Sequence, residues 1–274
     1  MSYNTINVSI DARGVATLLL NRPERHNAMN DELIREVTEA ARELDTNKSV
    51  RAVILTGAGE SFCAGGDLKW MQGIFDASRA ERVADSANLA NMLRTLNELS
   101  KPLIGRINGQ AYGGGTGMIS VCDIAIAVES ANFALTEVRL GLTPANISTF
   151  VVAKMGRSNA RRTFLNARPL NAAKAKEVGL VDEVVADSDL DAAVEKEIGY
   201  VLQCGPGAIA ATKKLIFYVD SHDTDTNLIY TANLLADTWE SQEGQEGIHC
   251  FFNKEIPSWR QTPAATKKPT ESEQ

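Results

Sequence analysis

Two glycine-rich segments and one glutamate are the residues of this chain best suited to chemistry. Ser61-Phe62-Cys63-Ala64-Gly65-Gly66-Asp67-Leu68 and Asn108-Gly109-Gln110-Ala111-Tyr112-Gly113-Gly114-Gly115-Thr116-Gly117 each run from a strand-like stretch, through glycines, into a helical pattern. Small residues let a ligand approach the backbone, and the first N–H groups of a helix have no internal acceptor. Two such amides facing one point would stabilise the enolate oxygen that forms when a thioester loses an α-proton or accepts a nucleophile at its β-carbon. Glu137 lies in Leu135-Thr136-Glu137-Val138, a largely apolar stretch where burial would raise its carboxyl toward a value useful for proton transfer. Taken singly, each glycine cluster reads equally as a tight turn, and a lone glutamate as a surface residue. Neither cluster has the spacing of a dinucleotide fingerprint or a phosphate-binding loop.

Positioning these groups falls to a mixed pattern of elements. Apolar runs over Ile6–Ile10, Val15–Leu20 and residues 52–56 read as strands, and Leu33, Ile34, Val37, Ala41 and Leu44 recur at helical spacing between the last two. Further strand signals at residues 102–107, Ile124–Val128 and residues 180–185 alternate with helical stretches, which predicts an α/β core with parallel crossovers. From about Leu190 the pattern is helical, broken at Gly205-Pro206. The expected organisation is a core over residues 1–199, a helical module over 200–260 and a disordered polar tail over 261–274.

The 274 residues, 44% of them hydrophobic, are enough for a substantial core. A formal net charge of −7 argues against nonspecific nucleic-acid binding, which needs cations to displace phosphate counterions. Cys63, Cys122, Cys204 and Cys250 lack paired spacing, and His26, His222 and His249 lack the close spacing of metal ligands, so neither a disulfide framework nor a metal site is expected. The start of the chain has no basic region followed by an apolar one, and no run approaches the ~18 apolar residues of a membrane span. The expectation is a soluble, cytoplasmic protein with no membrane or nucleic-acid partner.

In order along the chain, NRPERHNAMN at residues 21–30, FCAGGDLKW at residues 62–70, INGQAYGGGTG before CDIAIA, and FALTEVRLGLTP resemble the successive signatures of the crotonase (enoyl-CoA hydratase/isomerase) superfamily. The resemblance covers nearly the whole chain to Trp259. It implies a ClpP-like spiral of ββα units with a C-terminal helical trimerisation region, assembled as a trimer or as a hexamer built from two trimers. It also implies an acyl-CoA substrate and no cofactor, coenzyme A being part of the substrate. The Gly66 and Gly114 amides would form the oxyanion hole and Glu137 would be the acid and base. Arg25 and His26 fall where relatives contact the coenzyme; Ala28, Ala64, Asp67, Leu68, Gly113, Thr136 and Asn146 would also contact the substrate. Phe251 and Lys254, spaced to share a helix face, match a C-terminal pair that reaches the nucleotide portion in relatives. Trp70, Trp239 and Trp259 read as packing residues.

The chain departs from the usual hydratase pattern in two places. The family's first glutamate, just after the glycine run, is Gly117 here, and the loop after Pro144 reads Ala145-Asn146-Ile147-Ser148 in place of a glycine-rich run. With these features the chain resembles hydratases of branched glutaconyl-CoA thioesters, methylglutaconyl-CoA or isohexenylglutaconyl-CoA, of leucine and acyclic terpene catabolism. Asn146, a second water or the substrate's own carboxylate could fill the gap at Gly117, and Arg22 and Lys69 are candidate partners for that carboxylate. The expected reaction is hydration. Its rivals are a Δ3,Δ2-enoyl-CoA isomerase, which needs one base and no oriented water, and a non-catalytic acyl-CoA-binding protein.

Overall fold

The computed structural model describes residues 3–261; apart from Gln261, the tail expected over 261–274 lies outside them. Strands β1 (Ile6–Ile10) and β2 (Val15–Leu20) pair as an antiparallel hairpin, its turn fixed by Asp11, whose side chain accepts from the Arg13 and Val15 amides. Helix α1 (Asp31–Thr46) is capped by Asn30 and turns Leu33, Ile34, Val37, Ala41 and Leu44 into the core, as their spacing requires.

Three units then follow the same plan. β3 (Ala52–Gly57) and β4 (Ser61–Cys63) lead into α2 (Leu68–Asp76) and α3 (Arg79–Asn97). β5 (Leu103–Ile107) and β6 (Gln110–Tyr112) lead into α4 (Gly114–Ser120), and β7 (Ile124–Val128) and β8 (Asn132–Ala134) into α5 (Ala145–Phe164). Each unit adds one strand to each of two sheets. The larger has the order β1-β2-β3-β5-β7-β10 and is parallel from β2 onward; the smaller has the order β4-β6-β8-β9, parallel over its first three. The repeat winds the chain into a spiral, and the near-continuous apolar runs of β3, β5 and β7 suit parallel strands buried on both faces. The unit is completed by β9 (Leu170–Asn171), α6 (Ala172–Glu177), β10 (Glu183–Val185) and α7 (Leu190–Leu202). The α/β spiral of ββα units that the resemblance implies is the architecture observed.

The structure corrects several local readings. The strand expected over residues 180–185 starts only at Glu183, because the Leu180 and Val181 amides turn back onto the Ala175 carbonyl at the end of α6. The segment after Pro144 is the first turn of α5, not a loop. Phe251 and Lys254 do not share a helix face: α10 (Gln242–Asn253) ends before Lys254, whose φ of 57° is left-handed.

The helical module adds α8 (Pro206–Ser221), α9 (Thr224–Glu240) and α10. Lys213 on α8 joins it to the core through Asp123 at 2.6 Å, and Arg51 reaches back from β3's edge to the Cys204 and Trp259 carbonyls. Glu243 accepts from the Gly207 and Ala208 amides and so caps α8. Phe217, Leu228, Leu235, Trp239, Phe251 and Phe252 of this module are exposed. Among the described residues no helix is long and apolar enough to cross a membrane.

Candidate active site

The carboxyl ends of β4, β6 and β8, neighbours in the smaller parallel sheet, open onto one place, the usual position for a ligand in such a sheet. β4 delivers Ala64-Gly65-Gly66, β6 delivers Gly113-Gly114, and β8 delivers Leu135-Thr136-Glu137. The first two loops touch backbone to backbone. Gly65, at φ 89°, would put a side-chain Cβ 2.9 Å from the Tyr112 carbonyl oxygen, and a Cβ at Gly115 would overlap the Cys63 carbonyl.

A third strand-like piece completes the frame. The Met29 amide donates to the Gly65 carbonyl at 2.7 Å and the Met29 carbonyl accepts from the Asp67 amide at 2.8 Å, pairing Met29 in parallel with Gly66. This pairing leaves the Gly66 N–H without a partner. Gly114 opens α4, and its N–H likewise meets no acceptor among the described residues. Two free amides therefore stand on adjoining loops, walled by Met29 against Gly114 and by Met71 and Trp70 against Gly66.

Glu137 faces them. A Cβ at Gly113 would lie 3.2 Å from Glu137 Oε1, so the absent side chain is the space into which the carboxylate points. Its Oε2 is buried with no hydrogen-bond partner, and burial pushes the carboxyl above the ordinary glutamate range. Leaving a buried acceptor unpaired costs about 1–3 kcal/mol. Such an unmet acceptor, beside two unmet donors, is what a site waiting for a polar ligand presents. Cys63 is no rival nucleophile: it is fully buried and burial pushes its thiol up to about 12.

Gly117 is not an open slot. A Cβ there would come within 2.5 Å of Ile147 Cγ2 and 3.5 Å of Leu93 Cδ1. Ile147, on the first turn of α5, occupies the space that a side chain at position 117 would need.

The other sequence-stated residues divide. Asp67 Oδ1 accepts from the Lys69 and Trp70 amides and Oδ2 from Arg22 at 3.0 Å, so this carboxylate caps α2. Burial works to raise it, but these bonds prevail and hold it below the ordinary range. Arg22 also donates to the Ala28 carbonyl, so both its terminal nitrogens are engaged, whereas Lys69 is exposed and in no ion pair among the described residues. Arg25 and His26 are exposed beside the site loop, tied there by the Ala64 amide donating to the His26 carbonyl at 2.9 Å. Ala28 is buried, Thr136 half-buried, and Leu68 exposed at the start of α2. Asn146 is half-buried beside Ile147, its side-chain amide making no hydrogen bond among the described residues. Phe251 and Lys254 are exposed, and α10 packs on α8 and α9 rather than on the strands that hold the site.

Four contributors escaped the sequence reading: Asn27, Met29, Met71 and Ile147. Asn27, buried at φ 55°, donates to the Ala58 and Ser61 carbonyls and accepts from the Arg22 amide, pinning the 22–29 segment to the β3–β4 turn. An asparagine between a polar turn and an apolar run is a signal for that left-handed conformation. The methionines and Ile147 carry no such signal.

A family described as enoyl-CoA hydratase/isomerase matches residues 11–262. The short-chain-enoyl-CoA hydratase of Clostridium acetobutylicum is 31% identical over 251 residues, 90% of this chain and 95% of the relative. Among solved structures, an enoyl-CoA hydratase from Shewanella pealeana aligns with a TM-score of 0.90 at 35% identity, covering 93% of this chain and 96% of the other. Pseudomonas aeruginosa AtuE aligns with a TM-score of 0.91 at 34% identity, covering 94% and 100%.

Proposed function

The chain belongs to the enoyl-CoA hydratase/isomerase family, and from that premise we propose that it hydrates the double bond of a branched α,β-unsaturated acyl-CoA, of the methylglutaconyl-CoA or isohexenylglutaconyl-CoA kind, in leucine or acyclic terpene catabolism. One observation carries the reading: a desolvated Glu137 carboxylate, its Oε2 without a partner among the described residues, faces the loop that holds the Gly114 amide, with the Gly66 amide on the loop packed against it.

The thioester oxygen accepts from Gly66 and Gly114. Glu137, as carboxylate, takes a proton from water while that oxygen adds to the β-carbon, and electrons from the double bond move onto the carbonyl oxygen. The two amides hold the resulting enolate. Glu137 then returns its proton to the α-carbon, so one water is added and the enzyme is restored. The raised carboxyl suits both halves, since a general acid-base works best when its pKa is near the working pH. Support for a branched, acidic acyl group comes from the Gly117 and Asn146-Ile147 departures and from Lys69, an exposed cation at the start of α2 in no ion pair among the described residues.

Ile147 filling the place of a second carboxylate favours a second reading, Δ3,Δ2-isomerisation, in which Glu137 carries one proton between two carbons. Mass spectrometry of each candidate thioester in heavy-oxygen water separates them: gain of one labelled water supports hydration, and an unchanged mass with a moved double bond supports isomerisation. For assembly, the exposed apolar residues of α8, α9 and α10 support a trimer or a hexamer, which light scattering would read directly.

A further inference from the structure

A file of four polar side chains runs behind the site. The Tyr112 hydroxyl donates to Gln110 Oε1 at 3.0 Å, Gln110 Nε2 donates to Ser61 Oγ at 3.1 Å, and Ser61 Oγ lies 2.9 Å from His26 Nδ1. Ser61 is 1% exposed, and its hydroxyl has no other partner among the described residues. A hydroxyl has one proton to give. With Gln110 already donating to it, the Ser61 proton is paired only if it goes to Nδ1, which places the imidazole proton on Nε2. That nitrogen belongs to an exposed ring beside exposed Arg25, on a segment tied to Ala64.

We propose that Ser61, held by Gln110 and Tyr112, is a positioning residue that fixes His26 as an Nε2–H donor to the phosphate-bearing part of the substrate. The inference rests on the reading that a coenzyme A thioester enters past residues 25–28 to reach Gly66. A hydrogen bond to a charged phosphate rewards a fixed donor, because a ring free to exchange tautomers would meet the anion with a lone pair part of the time. Sequence reading had no access to this file, since its members come from a turn, β4 and β6.

The test uses the full-length protein. Long-range nitrogen–proton NMR, assigned with a His26→Asn variant, should show neutral His26 as the Nε2–H tautomer and a mixture in Ser61→Ala. Calorimetry with coenzyme A and with pantetheine, which lacks the nucleotide and its phosphates, should show Ser61→Ala weakening the first roughly three- to tenfold and leaving the second unchanged. An Nδ1–H tautomer in the wild type, or equal loss for both probes, would overturn the proposal. Binding needs no turnover, so a protein that hydrates no enoyl-CoA yet shows this split refutes the proposed reaction and not the role of Ser61.

Discussion

Two glutamates are drawn into this protein, and their surroundings treat them in opposite ways. Glu36, on the buried face of α1, accepts from the Asn4 amide at 2.9 Å, the Thr5 amide at 2.8 Å and the Thr5 hydroxyl at 2.6 Å. Burial alone would raise its carboxyl, but these donors outweigh burial and hold it below the ordinary range. Glu137 is desolvated too; burial outweighs the hydrogen bond from its own backbone, its Oε2 meets no donor among the described residues, and its carboxyl is pushed up. The first carboxylate fastens the start of β1 to α1. The second is short of partners, at a cost in stability, and on the proposed reading a substrate supplies them.

The sharpest way to break this comparison is to remove both charges without changing shape. Glu137→Gln should lower kcat roughly 10²–10⁴-fold with coenzyme A affinity nearly intact; steady-state kinetics on the thioester that the wild type converts, paired with calorimetry, checks it. Turnover within tenfold of wild type would remove Glu137 from the chemistry. Glu36→Gln should leave activity near wild type but cost about 1–3 kcal/mol in denaturant unfolding, since the amide nitrogen would face one of the two backbone N–H groups, of Asn4 or of Thr5, that the carboxylate accepts from. If the two variants lost stability alike, the contrast between the sites would fail.

A glutamate introduced at position 117 sharpens it further. Gly117→Glu should be destabilised by about 1–3 kcal/mol because Ile147 and Leu93 hold that space, and adding Ile147→Ala should recover much of the loss. In thermal melts the pair should be non-additive, as contacting residues are. Additive effects would mean that Ile147 is not what excludes a side chain there.

How much of this was readable in advance follows the range of the interactions. Strand signals placed β1, β2 and β7 to the residue, and the stripe from Leu33 to Leu44 fell inside α1, because alternation and the 3.6-residue period are local. The glycine loops and Glu137 could be listed because their residue types announce an unusual backbone or an ionisable group in apolar text. The fate of Gly117 could not be read, since it depends on Ile147, thirty residues on and in another unit of the spiral. Asp67 misled for the same reason: its type invites a ligand, while its partners, Arg22 and the first turn of α2, consume it. Pairing across units decides which polar residue is free, and that is set by the winding of the sheets.

The smallest expected effect is the one that tests the comparison most directly, the dependence of stability on pH. Glu36 has a lowered carboxyl in the folded state, so its stabilisation is present above the unfolded value of about 4.3 and is lost as pH falls through the folded one. Glu137 has a raised carboxyl, so the folded state binds its proton more tightly than the unfolded state does. Its contribution is full below about 4.3 and declines as pH rises through the folded value. Subtracting each variant from wild type isolates the two signs. The stability difference between wild type and Glu36→Gln should grow from acid toward neutral pH, while wild type relative to Glu137→Gln should lose ground over the same interval. Urea titrations at a series of pH values read both slopes. A flat difference for Glu137→Gln would mean that the carboxyl finds in the folded protein a donor as good as water, and the site would then have no unmet acceptor to offer a substrate.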